Sequence, residues 1–573
     1  MKDSVRDAAL GAATTKLSAG FDKINTKILS KGVDCTDTSL TASQMAAALD
    51  AAAADIKDSI NGGLNLGTPA EANCGAKLLG ITAKKCAGMI KADSVYFKLL
   101  NRDPQGTARD AVRANASAKF MTGFNAVVAT CPTTATEAGV ETDVDLVATD
   151  AVTNTSTSPN LSATWTSVVP PTTVQYQDLT LKPTCSRDTP YMYWYKRGTE
   201  NKLLVYYQGG GACWDDTTCS PSLGGGSPFK NTATLSDNPA NTTTGFGDVT
   251  NPLNPFSDWS AVFISYCTGD IHWGDNKKLY HDPLNGNQPY TIQHKGYQNA
   301  KLVEKFAREH FVAPDEVFVT GSSAGAYGAA LGGILLHEVY PAAKFNVVGD
   351  AGNGVVTPTF ISASLEPSWH VAQHMPTYIP SLNVPITSLT IADLYIGGAT
   401  YYLGRGSRFG QYTSAWDGGS GSQTFFYNVM VNGLLDNANW WHSSCAWNTQ
   451  MLANDAAAFA GAPTNYRSYV GPGSRHTIYG SNRVYTETHG VPQTFVSWLD
   501  NMRNQPLPAN WNNVLCSDCS LLGVCDGSSP SPGVSCQHDA ECSPGVCTPV
   551  DARPTPGQNP PNPFLADGVV NCS

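Results

Sequence analysis

The stretch Glu316-Val317-Phe318-Val319-Thr320-Gly321-Ser322-Ser323-Ala324-Gly325-Ala326 decides how this chain is read. A short apolar run enters a G-x-S-x-G turn, and a helical pattern over residues 326–338 follows it. That order predicts a serine lifted clear of a sheet edge, with glycines making room for the turn and a helix N-terminus directed at the hydroxyl. Outward from it, short buried runs recur at 203–207, 261–264, 345–348, 386–391 and 466–470, with helical patterns such as 299–310 between them. Strands alternating with helices predict a mostly parallel α/β sheet with helices on both faces. Residues 174–181 and 191–196 alternate in polarity, and the turn at Arg197-Gly198-Thr199-Glu200-Asn201 predicts an antiparallel entry to that sheet.

A serine nucleophile needs a base, an acid and donors for a developing oxyanion. The run 203–207 ends in Gln208-Gly209-Gly210-Gly211-Ala212-Cys213-Trp214, where three glycines let the backbone turn two amides toward one point; Ala324 adds a third. For the base, the chain order serine, acid, histidine asks for an imidazole after the last strand, which makes His476 the first choice and His489 the alternative. For the acid, the fold logic offers Asp393, after the run 386–391, and Asp417; Asp350, after 345–348, is a third option.

These residues resemble the pectin acetylesterase / Notum family. The likeness extends to Tyr266-Cys267-Thr268-Gly269-Asp270-Ile271-His272-Trp273-Gly274-Asp275, a string far more specific than G-x-S-x-G, and covers roughly residues 172–505. The resemblance implies an α/β-hydrolase-like serine carboxylesterase with Ser323 as nucleophile and the amides of Gly210, Gly211 and Ala324 as oxyanion donors. It favours Asp417 as the acid, because that family's acid follows an aromatic residue in a Gln-flanked segment, here Gln411 to Gln423 with Trp416 before Asp417. The chain departs from the family before His476, where Gly473-Ser474-Arg475 replaces a Ser-Cys, and in the glycine element, where Gly211 and Ala212 stand at positions of family tryptophans. Trp214, Trp440 and Trp441 are the expected substrate contacts, and Asp270 and His272 are expected as buried supports.

The 573 residues exceed one average domain, and composition divides them. Residues 1–153 are Ala-rich and Trp-free and predict an α-helical bundle stapled by Cys35, Cys74, Cys86 and Cys131; 154–171 read as a linker; 172–507 hold the α/β pattern; 508–573 carry seven cysteines and predict a small disulfide-rich tail. Reduction is expected to loosen that tail before it touches the site. Sixteen cysteines and only 14% charged residues point to a secreted or periplasmic protein. No signal peptide is legible at the start, and no apolar run is long enough to span a membrane. Cys516-x-x-Cys519 is read as disulfide-forming rather than zinc-binding, so no metal and no cofactor is expected.

A net charge of -11 leaves no basic surface for nucleic acid. The expected function is a secreted serine carboxylester hydrolase that deacetylates an acetylated polysaccharide. A lipid, acyl-protein or polyester esterase with the same triad is the alternative, and an inactive hydrolase-fold binding protein the reading from another class. An ester substrate is the one partner the residues specify.

Overall fold

The computed structural model describes residues 19, 42–98, 107–156, 161–176, 179–311, 314–341, 343–433, 435–504, 511–530, 535–537, 539–553, 563–564 and 569–572. Two compact units are present, one comprising residues 1–161 with 308–314 and 338–343, the other 162–307, 315–337 and 344–573.

In the first unit four helices are described, α1 (Ala42–Asn61), α2 (Pro69–Lys98), α3 (Thr107–Val128) and α4 (Glu137–Ser156). Apolar residues at helical spacing form their shared core, including Ile56, Ile60, Leu78, Phe120, Phe124, Val140 and Val144. Cys74 is bonded to Cys131. Cys86 has no partner among the described residues, and Cys35 lies outside them.

The second unit is built on a nine-stranded sheet. Its strands are β1 (Thr166–Val168), β2 (Tyr193–Lys196), β3 (Glu200–Tyr207), β4 (Trp259–Ile264), β5 (Glu316–Ser322), β6 (Lys344–Asp350), β7 (Arg408–Ser414), β8 (Tyr466–Gly471) and β9 (Val514–Leu515). They lie in the order β1-β2-β4-β3-β5-β6-β7-β8-β9. All pairs from β4 to β9 are parallel, while β1 and β2 form an antiparallel edge. β2 pairs with β4 and not with its chain neighbour β3, so the Arg197–Asn201 turn is a sheet entry without a hairpin. The segment 154–171, expected as a linker, carries the edge strand β1 because Thr166–Val168 finds open backbone donors and acceptors on β2.

The order reverses between β3 and β5: the chain leaves β3 for β4 on one side, then returns to β5 on the other. In parallel sheets such a switch point opens a crevice at the strand carboxyl ends. Gln208 follows β3 there, and Ser323 follows β5.

One expected strand is absent. Residues 386–391 form a short 3-10 turn and then the start of α7 (Ile391–Tyr401), counting α5 (Gly296–His310) and α6 (Ala324–Val339) before it. The cause is local: Thr390 accepts from the Asp393 amide while the Asp393 carboxylate accepts from the Thr390 amide, a capping box that starts a helix. β7 takes the vacant place beside β6. In the tail, β9 joins the main sheet, and a small three-stranded sheet is cross-linked by Cys525–Cys542 and Cys536–Cys547. Cys516 is bonded to Cys519 and Cys572 to Cys445.

Candidate active site

The serine turn is a strained left-handed residue: Ser323 has φ 58°, between β5 and α6. Its amide donates to Asp350 O at 2.7 Å, tying the turn to the end of β6. Gly325 is required there, since a Cβ on it would lie 1.9 Å from Tyr207 O. Such an approach between backbones leaves no room for any side chain.

Ser323 Oγ donates to His476 Nε2 at 2.8 Å, and His476 Nδ1 donates to Asp417 Oδ1 at 2.7 Å. Asp417 follows β7 and His476 follows β8, so three strand ends deliver the three side chains. The Asp417 side chain is fully buried and accepts also from the Gln423 amide and Gln423 Nε2, both at 2.9 Å. Gln423 Oε1 in turn accepts from Asn353 N at 2.8 Å, which fixes the orientation of its amide. A directed chain of hydrogen bonds therefore runs from Asn353 through Gln423 to Asp417. Burial opposes charge on His476, but the Asp417 carboxylate and its hydrogen bond, with Asp350 behind it, hold the imidazole above its ordinary value.

The other carboxylates have different duties. Asp350 accepts from Ser322 Oγ at 2.6 Å and from the amides of Ile478 and Tyr479 at 3.1–3.2 Å, which anchors the chain two residues beyond His476. Burial pushes its carboxyl up to about 6, against the pull of those donors. Ile478 and Tyr479 are buried in an aromatic cluster with Phe495 and Trp498, so packing reinforces the anchor. Asp393 caps α7. His489 bonds Glu487 and Glu541, away from the serine.

The glycine element is held by its carbonyls. His272 Nε2–H donates to Gln208 O at 2.8 Å, Lys230 N to Gly210 O at 2.8 Å, and Tyr266 OH to Gly211 O at 2.8 Å. Gly211 sits at φ 72°, and a Cβ there would be 1.9 Å from Pro228 O. Burial lowers His272 to about 4, so the imidazole is neutral and donates. Asp270 takes hydrogen bonds from Thr268 Oγ1 and from the amides of His272 and Gly296, and burial raises it to about 7. The disulfides Cys185–Cys267 and Cys213–Cys219 staple the flanking loops.

Beside Ser323 lies a mostly apolar cavity of about 70 Å³ that includes Gly211, Trp214, Ala324, Phe360, Phe426 and Met430 in its wall. Trp214 stands edge-on to Phe360, with centroids 5.0 Å apart. Trp440 and Trp441 are not in that wall; they are 3% and 1% exposed, and Trp440 covers Gly418, the residue after Asp417. The structure thus does not bring the expected substrate contacts Trp440 and Trp441 to this cavity. Phe360, Tyr327 and Trp369 in the same wall carry no sequence signal, because nothing in a sequence tells a pocket-lining aromatic from a core one.

The α/β unit thus carries a serine, an imidazole and a carboxylate in one hydrogen-bonded line at the switch point of its sheet. The family model described as Pectinacetylesterase matches residues 167–364, in agreement with the resemblance of the motifs. That match contains Gly210, Gly211, Asp270 and Ser323 and ends before Asp417 and His476, whereas the likeness was expected to run to about residue 505. No curated protein matches the chain.

Proposed function

We propose that this protein is an α/β-hydrolase-type serine carboxylester hydrolase that removes acetyl groups from a polysaccharide through an acyl-enzyme. The observation that carries the reading is the 2.8 Å and 2.7 Å line Ser323–His476–Asp417 beside an apolar cavity. His476 Nε2 takes the Ser323 proton as Oγ attacks the ester carbonyl, and the amides of Gly210, Gly211 and Ala324 hold the tetrahedral oxyanion. His476 then passes that proton to the departing sugar oxygen. Water repeats the attack and regenerates the serine. Asp417 fixes the imidazole tautomer and stabilises the imidazolium.

The Pectinacetylesterase match supports an acetylated polysaccharide as substrate. The reading places catalysis in residues 172–507, between a helical segment 1–153 and a tail 508–573. The seven disulfides among the described residues fit an oxidising compartment, and no described helix is long and apolar enough to cross a membrane. The net charge of -11 favours neutral esters over de-esterified, anionic pectin.

One observation favours a second reading. About 10–15 Å³ of such space holds one water, so a cavity of about 70 Å³ admits an acyl chain several carbons long. Rates on nitrophenyl acetate, butyrate and octanoate, beside acetyl release from acetylated xylan and pectin, separate the two. Ser323→Ala is expected to abolish both activities and labelling by a fluorophosphonate. Full activity of that variant would refute the hydrolase reading.

A further inference from the structure

The cysteine-rich tail touches the loops that carry the acid and the base. Asp551 is buried with a side chain 0% exposed. Its Oδ2 accepts from Ser474 N at 3.0 Å, two residues before His476, and from Leu522 N at 2.8 Å; its Oδ1 accepts from Arg483 Nη1 at 3.1 Å. Ser474 Oγ donates to Ala552 O at 2.8 Å. On the acid's side, Trp416 Nε1 donates to Cys519 O at 2.8 Å, and the Trp416 and Trp440 rings both pack on Phe564 at 5.7 and 5.5 Å. The two loops are also bonded to each other, Gly418 N to Ser474 O at 2.7 Å and Trp416 N to Gly473 O at 3.0 Å. One tail residue thus grips the base loop while two others, Cys519 and Phe564, brace the acid loop.

We propose that the tail is a positioning element of the catalytic centre and that Asp551 is the residue through which it sets His476. The inference rests on the hydrolase reading above. A buried ion pair such as Asp551–Arg483 adds little net stability, because desolvation offsets the attraction. Its three directed donors instead specify a geometry, and a serine–imidazole line tolerates little error: a displacement of about 1 Å costs on the order of a hundredfold in rate. The order expected from sequence changes accordingly. A tail loosened by reduction takes Ser474 with it, so esterase activity falls together with the tail rather than after it.

The test uses the full chain and three variants: Asp551→Asn, which keeps one acceptor oxygen and the volume; Asp551→Ala; and Asp526→Asn, a tail carboxylate whose partners Ser528, Ser529 and Val546 all lie within the tail. kcat and KM on nitrophenyl acetate are measured per active site titrated with a fluorophosphonate, beside thermal melting. The expected result is a kcat loss of about ten- to a hundredfold in Asp551→Ala and a smaller one in Asp551→Asn, KM unchanged, and Asp526→Asn like the parent. A purely structural role would lower the melting temperature and the number of titratable sites but leave kcat per site unchanged, and that outcome overturns the proposal. If Asp551→Ala does not fold, the isosteric Asp551→Asn decides by the same criterion. Failure of the parent chain to react at Ser323 sinks the hydrolase reading itself, whereas a reactive parent with kcat per site untouched in both Asp551 variants sinks only the positioning role.

Discussion

Asp417→Asn is the sharpest perturbation of the proposed site. The change keeps the volume and removes one charge. It also inverts the hydrogen-bond pattern: Asp417 accepts from His476 Nδ1 on one oxygen and from Gln423 Nε2 on the other, and Gln423 cannot flip because its own oxygen is held by Asn353 N. An amide at 417 therefore sets one NH₂ against a donor whichever way it turns. With charge centres about 4 Å apart and an effective dielectric of about 20, the carboxylate stabilises the imidazolium by about 4 kcal/mol. At about 1.4 kcal/mol per decade that is about a thousandfold in kcat, and a wrong tautomer adds up to about tenfold more. The assay is kcat/KM on nitrophenyl acetate from pH 5 to 9. The neutral imidazole is the active form, so activity is lost as pH falls through the His476 pKa, which lies above its ordinary value in the parent. Removing the carboxylate leaves burial as the dominant influence, and the acid limb moves to lower pH. Asp350→Asn, whose carboxyl anchors backbone amides rather than the ring, is expected to lose about tenfold or less, through a single weakened acceptor. An Asp417→Asn enzyme within tenfold of the parent, or one weaker in effect than Asp350→Asn, would refute this assignment.

Two other substitutions test the scaffold and the pocket. Gly325→Ala places a Cβ 1.9 Å from Tyr207 O, so the serine turn cannot close on β3; loss of fluorophosphonate labelling and a lower melting temperature are the expected readouts. Phe360→Ala enlarges the cavity next to Trp214, and the ratio of octanoate to acetate hydrolysis should rise; an unchanged ratio would remove the cavity from acyl recognition.

The sequence by itself determined what a few adjacent residues can dictate. A strand, a G-x-S-x-G turn and a helix are contiguous, and so is the glycine element after β3; their chemistry is backbone geometry, legible as spacing. The capping box at Thr390 and Asp393 is equally local, but the β-branched residues within 386–391 carry the opposite, strand-forming preference. Only tertiary structure decided which of three carboxylates meets His476, because Asp417 is 59 residues from it in sequence and reaches it through the adjacency of β7 and β8. The same holds for Trp440, buried against Gly418 and Phe564 of the tail, and for the fully buried Trp441: burial is a property of packing rather than of residue type. It holds most for Asp551, one of several carboxylates in a Pro-rich, cysteine-rich segment, 77 residues from the Ser474 amide it binds. Pattern reports the local conformational preferences of a chain, while partners distant in sequence are selected by which surfaces the folded sheet and its disulfides bring together.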